Sequence, residues 1–175
     1  AGQLGYMGTN QHGVSHFANG LNGPWQPGLP HYPLKRVLLE QQNVEQCLKI
    51  LEQRRTCSCA NMVFCDGKGT IADVEIRPDR VYTYDDEDPD CRLHTNHWLV
   101  PATAQTQPAF ASESKHRLER LRHLVQAKWG KITTTHLKAV LADHKGDPGA
   151  ICRHGEGGTH SVAGYIAEPA RGLFH

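Results

Sequence analysis

The stretch that decides the fold is CSCANMVFCDGKGTIADVEIRPDRVYTY, residues 57–84, which is rich in small and β-branched side chains. Within it, Asp66-Gly67-Lys68-Gly69 is a hairpin turn sequence between predicted strands at about 59–65 and 70–76. Pro78-Asp79 predicts a second turn, which leads into a third strand from Val81 to Tyr84. The stretch therefore predicts a meander of three strands.

A hairpin and two helices are predicted upstream of the meander. In GYMGTNQHGVSHFANGLN, residues 5–22, a turn at 10–13 precedes a strand from Val14 to about Asn19. In LKRVLLEQQNVEQCLKILEQR, residues 34–54, apolar side chains recur at helical spacing in two runs, and Asn43 can cap the second run. The proline-rich stretch NGPWQPGLPHYP, residues 22–33, is predicted to form a loop over the functional site.

Downstream of the meander, LHTNHWLV at 93–100 is predicted as a strand and 101–111 as a polar loop. Helices are predicted at about 112–129 and 134–143, followed by a strand at 161–166. Strands and helices come in separate groups, and this order favours an α+β fold with antiparallel sheets. A length of 175 residues suits a single domain over 1–175. Because the chain lacks an initial Met and its last residues have the pattern of a strand that is cut short, we expect a fragment missing both ends.

Composition excludes several classes of protein. The net charge of +1 provides no basic surface for nucleic acid, and no apolar run is long enough for a membrane helix. The spacing of the six cysteines favours buried thiols over disulfides, which is typical of a reducing compartment, so a cytoplasmic location is expected.

The segment CRLHTNHWLV, residues 91–100, carries the most conspicuous polar cluster. His94 and His97 are three residues apart and would point to opposite faces of a strand, so a shared metal ion is disfavoured. Asn96 at the end of this strand could stabilise the oxyanion of an acyl-transfer reaction with its neutral amide. The alternative is an asparagine that closes a turn on its own backbone.

Several motifs together resemble the isopenicillin N acyltransferase family of cysteine N-terminal nucleophile (Ntn) hydrolases. They are LGYMGTNQHGVSHFANGL (4–21), LPHYPLKRVLLE (29–40), the meander, HTNH (94–97) and ICRHGEGG (151–158) followed by Thr159-His160. The resemblance implies a four-layer αββα sandwich, of which this chain would be the central part of the large subunit. It also implies a proenzyme that cleaves itself before a cysteine and keeps its own small subunit as a partner.

The resemblance also implies site residues. Asn96 would supply the oxyanion-hole amide, and Asn19 would line the site, with Asn22 as a close competitor for that role. Trp25, Tyr32 and His94 are expected to contact the substrate, although a surface loop with two anchoring aromatic residues would explain Trp25 and Tyr32 equally well. The nucleophilic cysteine is expected upstream of Ala1, because none of the six cysteines matches its position.

The resemblance leaves the substrate open. An arginine of the best-known member has no counterpart here, since its position falls near Gly158 and Arg153 matches another column. We therefore expect an acyltransferase or amidohydrolase for a small amide or thioester. Coenzyme A would enter only as a substrate, and no cofactor is needed. Two other classes remain open: a binding or structural protein that lost its nucleophile, and a zinc protein using His94, His97 and a cysteine.

Overall fold

The computed structural model describes residues 6–106, 111–146, 149–154 and 159–175, which form two compact units. The first unit spans residues 1–107 and 167–174, and the second spans 108–166 together with His175. The described part of the chain is a mixed α/β structure, with an antiparallel sheet and four α-helices. None of its helices has the length and apolar character that a membrane crossing requires.

The first unit is built on a sheet whose strands follow one another in chain order, each antiparallel to the next. The hairpin and the meander therefore form one sheet, and both were predicted from their alternation and turn sequences. Asp66 holds the central turn because its Oδ1 accepts hydrogen bonds from the amides of Lys68 and Thr70, at 3.0 and 3.1 Å. The strands are β1 (Gly8–Thr9), β2 (Ser15–Gly20), β3 (Ala60–Cys65), β4 (Ile71–Arg77) and β5 (Arg80–Thr83).

The predicted helices α1 (His31–Leu38) and α2 (Val44–Gln53) are confirmed, except that α1 begins three residues earlier, inside the predicted loop 22–33. Both contribute to the core with one face of the sheet. The Asn43 side chain caps α2 by accepting a hydrogen bond from the amide of Gln46 at 2.9 Å. Alternate side chains of the strands and the apolar stripes of the helices meet in a buried core: Val14, Leu34, Leu38, Val44, Cys47, Leu51, Met62, Phe64, Ala72, Val74 and Ile76.

Two predicted strands are absent from the described residues. The 93–100 segment is irregular, because the backbone amides of Leu99 and Val100 bond to the Glu75 carboxylate instead of to a neighbouring strand. The 161–166 segment is also irregular: its Val162 is 94% exposed, and Ile166 is its one buried side chain, so the alternation of a half-buried strand is missing. Strand pairing occurs just beyond it, between β6 (Ala167–Glu168) and β7 (Leu173–Phe174), which flank a 3₁₀ turn at Pro169–Arg171.

The second unit contains helices α3 (Ala111–Gln126) and α4 (Thr134–Leu141), close to their predicted bounds. The Thr133 hydroxyl caps α4 by accepting from the amide of His136, at 3.2 Å. Arg120 of α3 forms a bidentate ion pair with Asp143, which follows α4, at 3.0 and 2.6 Å. In the first unit, residues 101–106, predicted as loop, form a 3₁₀ helix, and 107–110 lie outside the described residues.

Candidate active site

The face of the sheet opposite the helices carries a row of polar side chains. Asn19 of β2, Asn61 of β3 and Glu75 of β4 are direct cross-strand partners, and Asp73 lies two residues from Glu75 on the same face. Asn61, Asp73 and Glu75 are fully buried. Buried polar groups require hydrogen-bond partners, so the bonds of this row define the local geometry.

Asn61 fixes the orientation of Asn19. Its Nδ2 donates to the carboxylate of Asp73 and to the carbonyl oxygen of Val74, so its Oδ1 faces β2. There Oδ1 accepts from Asn19 Nδ2 at 2.8 Å. Because the Asn61 Nδ2 is directed to the acceptors on β4, only the Asn61 Oδ1 remains for Asn19. The Asn19 amide must therefore donate from its nitrogen to this oxygen.

Asp73 sits at the buried end of this chain of hydrogen bonds. Burial raises its pKa to about 6, although the charge of His94 and the hydrogen bond from Asn61 act in the opposite direction. Its Oδ2 has no hydrogen-bond partner within the described part of the chain. Asp73 is therefore a carboxyl group whose charged form is disfavoured beside the candidate site.

Glu75 anchors the segment that contains Asn96. Its carboxylate accepts from the amides of Leu99 and Val100 and from the hydroxyl of Thr103, the latter two at 3.1 Å. It also contacts His94 Nε2 at 3.0 Å, while His94 Nδ1 lies 2.7 Å from the carbonyl oxygen of Thr95. Both nitrogens of His94 thus face oxygen atoms, so the ring is held between the Glu75 carboxylate and the Thr95 carbonyl.

The anchored segment reaches the end of β2. Asn96 Nδ2 donates to the carbonyl oxygen of Gly20 at 3.2 Å, and Trp98 Nε1 donates to that of Asn22 at 2.8 Å. Gly20 directly follows Asn19, so the structure brings Asn96 and Asn19 to the same strand end. Asn19 and Asn96 are partly exposed there, whereas Asn61 and Glu75, which hold them in place, are buried.

A small apolar cluster supports this strand end. Trp98 packs with Leu21 and Cys59, all buried. Gly23 allows the chain after β2 to approach closely, since a Cβ at this position would overlap Cys59 Sγ. Burial raises the pKa of the Cys59 thiol, so this cysteine is a poor source of thiolate despite its location.

The remaining predicted site residues have different surroundings. The His94 side chain is fully buried, in contact with Glu75. Tyr32 belongs to α1, on the helix-covered side of the sheet, where its ring lies 6.0 Å from that of Tyr6. Trp25, in the loop between β2 and α1, is 78% exposed.

The sequence did not point to Asn61, Asp73 or Glu75 as site residues. The available signal was the alternation of Asp73-Val74-Glu75 in a predicted strand, which places two carboxylates on one face of the sheet. His97, considered as a zinc ligand, is buried, with its Nδ1 3.2 Å from Thr95 Oγ1. In the described part of the chain, neither His94 nor His97 belongs to a group of three possible metal ligands.

Comparison with known proteins identifies the family. The profile of the acyl-coenzyme A:6-aminopenicillanic acid acyl-transferase family matches residues 1–167, nearly the whole chain, including the β-meander, the polar row and the Asn96 segment. A comparison with curated proteins finds no match. The extent of the family match is decisive: this chain belongs to the acyl-coenzyme A:6-aminopenicillanic acid acyl-transferase family.

Proposed function

We propose that the protein is an acyltransferase or amidohydrolase that forms an acyl-enzyme on an N-terminal cysteine exposed by self-cleavage. The substrate is a small amide or thioester, for which an acyl-coenzyme A is the candidate suggested by the family description. Two amide side chains held at one strand end, Asn96 and Asn19, are the observation that carries this proposal. No cofactor takes part in this chemistry.

In the proposed reaction, the α-amine of the cysteine accepts the thiol proton, for which its pKa of about 8 is suitable. The thiolate attacks the substrate carbonyl, and the tetrahedral oxyanion collapses to a thioester as the amine or thiol leaving group takes the proton. Water or an amine then attacks the thioester and regenerates the thiol. No histidine is required as a base.

Asn96 is proposed to donate to the oxyanion. A neutral amide can act there without changing its protonation state, and it is effective when its position is fixed before the reaction. The Gly20 carbonyl sets one direction of the Asn96 amide, and Glu75 fixes the backbone that follows it. Asn19 is proposed as a second donor or substrate contact, oriented by Asn61.

The nucleophile is proposed to lie outside this chain. Cys47 is in the core, where burial raises its pKa to about 12, and burial also raises the pKa of Cys59 and of Cys65. Cys57, Cys91 and Cys152 are internal residues without an α-amine to act as base. An upstream cysteine, released as a new N-terminus, would supply both groups.

The αββα sandwich is part of the proposal. The described sheet has helices on one face, whereas half-buried apolar side chains, Phe17, Val63 and Ile71, share the other face with the polar row. A second sheet packed on that face would bury these side chains. The small subunit released by self-cleavage is the expected source of some of its strands.

His94 is proposed as a positioning residue, because its ring is buried against Glu75. Trp25 is proposed as a wall of the acyl pocket, since it is exposed in a loop whose start contacts the site. A role for Tyr32 in substrate binding would require the substrate to reach the helix-covered side of the sheet.

The test is to trap the acyl-enzyme. Full-length protein is mixed with hexanoyl-coenzyme A or a hexanoyl amide, and intact mass spectrometry follows the nucleophile-bearing chain. The expected result is one added hexanoyl group on the N-terminal cysteine, removed by an amine acceptor. Acylation of an internal residue, or no adduct while product forms, would contradict the mechanism.

A further inference from the structure

Three side chains of the second unit, which the acyl-transfer proposal does not use, lie together: His144, Cys152 and His154. One ligand atom from each, an imidazole nitrogen or Sγ, lies within 4.8 Å of the other two. Cys152 Sγ is 3.2 Å from His154 Nε2, and the two imidazole rings stack with their centroids 5.2 Å apart.

The backbone that presents these side chains is held from several sides. The amide of Cys152 donates to the carbonyl oxygen of Asp143 at 2.9 Å, and Asp143 is itself fixed by Arg120 of α3. Arg153 and Ser161 exchange two hydrogen bonds, at 2.8 and 3.1 Å. The cluster is therefore assembled by tertiary contacts and not by the sequence spacing of Cys152 and His154 alone.

The donor set selects the type of ion. A thiolate with two imidazoles suits a borderline-soft cation, whereas calcium and magnesium prefer oxygen ligands. In a tetrahedral zinc site the Zn–S and Zn–N bonds place the ligand atoms roughly 3.3–3.6 Å apart. The Cys152 thiol and the His154 imidazole are already near this separation. The His144 side chain is exposed, and its rotation can bring a ring nitrogen to the same distance from both.

We propose that His144, Cys152 and His154 bind one zinc ion, with a water molecule in the fourth position. The Cys152 thiolate offsets part of the ion's charge beside the neighbouring cations Lys145 and Arg153. Cys152 and His154 also line an open pocket of about 450 Å³, so solvent or a small ligand can reach the fourth position. Three protein ligands with one open position is the pattern of reactive zinc sites.

Cobalt(II) is the probe, because it replaces zinc in such sites and reports thiolate coordination by absorbance. The protein is freed of metal with a chelator and titrated. The expected result is one equivalent of cobalt bound, with a thiolate-to-cobalt charge-transfer band and displacement by zinc. No saturable binding of one equivalent would overturn the proposal.

Variants assign the ligands. Cys152→Ser should abolish the charge-transfer band, and His144→Ala and His154→Ala should weaken binding by more than the roughly 10–100-fold that loss of a group supporting a ligand costs. His160→Ala and Cys57→Ser are matched controls and should bind as the unmodified protein does. An unchanged band in Cys152→Ser, or equal loss in the controls, would contradict the assignment.

A second readout uses the unmodified protein, so it does not depend on the folding of any variant. Zinc coordination removes the thiolate from reaction, and alkylation of Cys152 by iodoacetamide should slow about tenfold or more when zinc is added. Peptide mass spectrometry compares Cys152 with Cys57 in the same sample. Equal rates at Cys152 with and without zinc would count against the site. Neither readout uses acyl transfer, so its outcome is separate from the proposed function.

Discussion

Asn96 is the residue on which the proposed chemistry depends most. Its amide carries no charge to titrate, so its effect comes from where it is held: one direction is set by the Gly20 carbonyl oxygen at 3.2 Å. An oxyanion forms only during the reaction, so a fixed donor lowers the barrier without tightening substrate binding to the same extent.

Asn96→Ala is therefore expected to lower kcat by about 10²–10³ with a much smaller change in KM. Steady-state kinetics of the full-length enzyme provide the measurement. Asn22→Ala tests the competing candidate at the same strand end, whose contact with Trp98 runs through its backbone carbonyl and survives the substitution. A loss in KM alone would argue that Asn96 only shapes the pocket, and an equal loss of kcat in Asn22→Ala would argue against a specific role of Asn96.

Asp73 links the site to stability. Its pKa is raised by burial from 3.8 to about 6, so its protonated form is favoured in the folded state. This contribution to stability is complete below pH 3.8 and is lost as the pH rises through about 6. The asparagine of Asp73→Asn does not titrate, so the variant does not lose this stability as the pH rises. From pH 4 to pH 7, its free energy of unfolding should rise relative to that of the unmodified protein by up to about 3 kcal/mol.

Urea unfolding at several pH values measures this difference, and the exposed Asp79→Asn is the control. The Asp73→Asn variant must be compared with the unmodified protein at each pH, because His16 changes the stability of both with pH in the opposite direction. Burial lowers the pKa of His16 to about 4, so its contribution is present above pH 6.5 and is lost as the pH falls towards 4. A difference between Asp73→Asn and the unmodified protein that does not change with pH would show that Asp73 is already charged in the folded state.

The sequence names candidate site residues only where a motif contains them. Asn19 and Asn96 are candidates through the family resemblance, and in the structure their side chains lie at one strand end. Asn61, Asp73 and Glu75 were not identified, because a strand pattern shows which residues share a face but not which face is covered. Glu75, for example, bonds to His94, Leu99, Val100 and Thr103, which lie 19 to 28 residues further along the chain.

At the scale of elements, the decisive feature is the irregular segment 94–103 and its anchor. The Glu75 carboxylate replaces the strand pairing that the segment lacks, by accepting from the amides of Leu99 and Val100 and from the Thr103 hydroxyl. For the amides of Leu99 and Val100, a buried side chain of β4 therefore takes the place of a neighbouring strand.

Glu75→Gln should release this segment. Both oxygens of the Glu75 carboxylate accept hydrogen bonds. In the Glu75→Gln variant one of them is replaced by an NH₂ group, which faces donors and cannot accept from them. The buried donors left without an acceptor cost about 1–3 kcal/mol. Hydrogen exchange should become faster at Leu99 and Val100, and kcat should fall because Asn96 is less well positioned. The exposed Glu52→Gln on α2 is the control. Unchanged exchange at both amides would show that Glu75 is not the anchor.

Elements were predictable where local signals were sufficient. The meander follows from alternation and a turn sequence, and α2 follows from helical spacing with its Asn43 cap. The 93–100 segment has the composition of a strand, but its amides bond to a side chain of β4 far away in sequence. No local pattern contains that information.

At the scale of the whole molecule, the family match over residues 1–167 is the broadest observation. It supports acyl transfer as the class of reaction, and the strand end with Asn19 and Asn96 provides a place where the reaction could occur. The remaining requirement is a nucleophile. The cysteines of the core and the sheet are poor candidates because burial raises their pKa, to about 12 for Cys47.

The most direct test of the proposed mechanism is intact mass spectrometry of the protein expressed from its full reading frame. We expect two chains, the larger beginning with a cysteine that iodoacetamide labels, and a single uncut precursor when that cysteine is changed to alanine. A single uncut chain that nevertheless transfers acyl groups would contradict it.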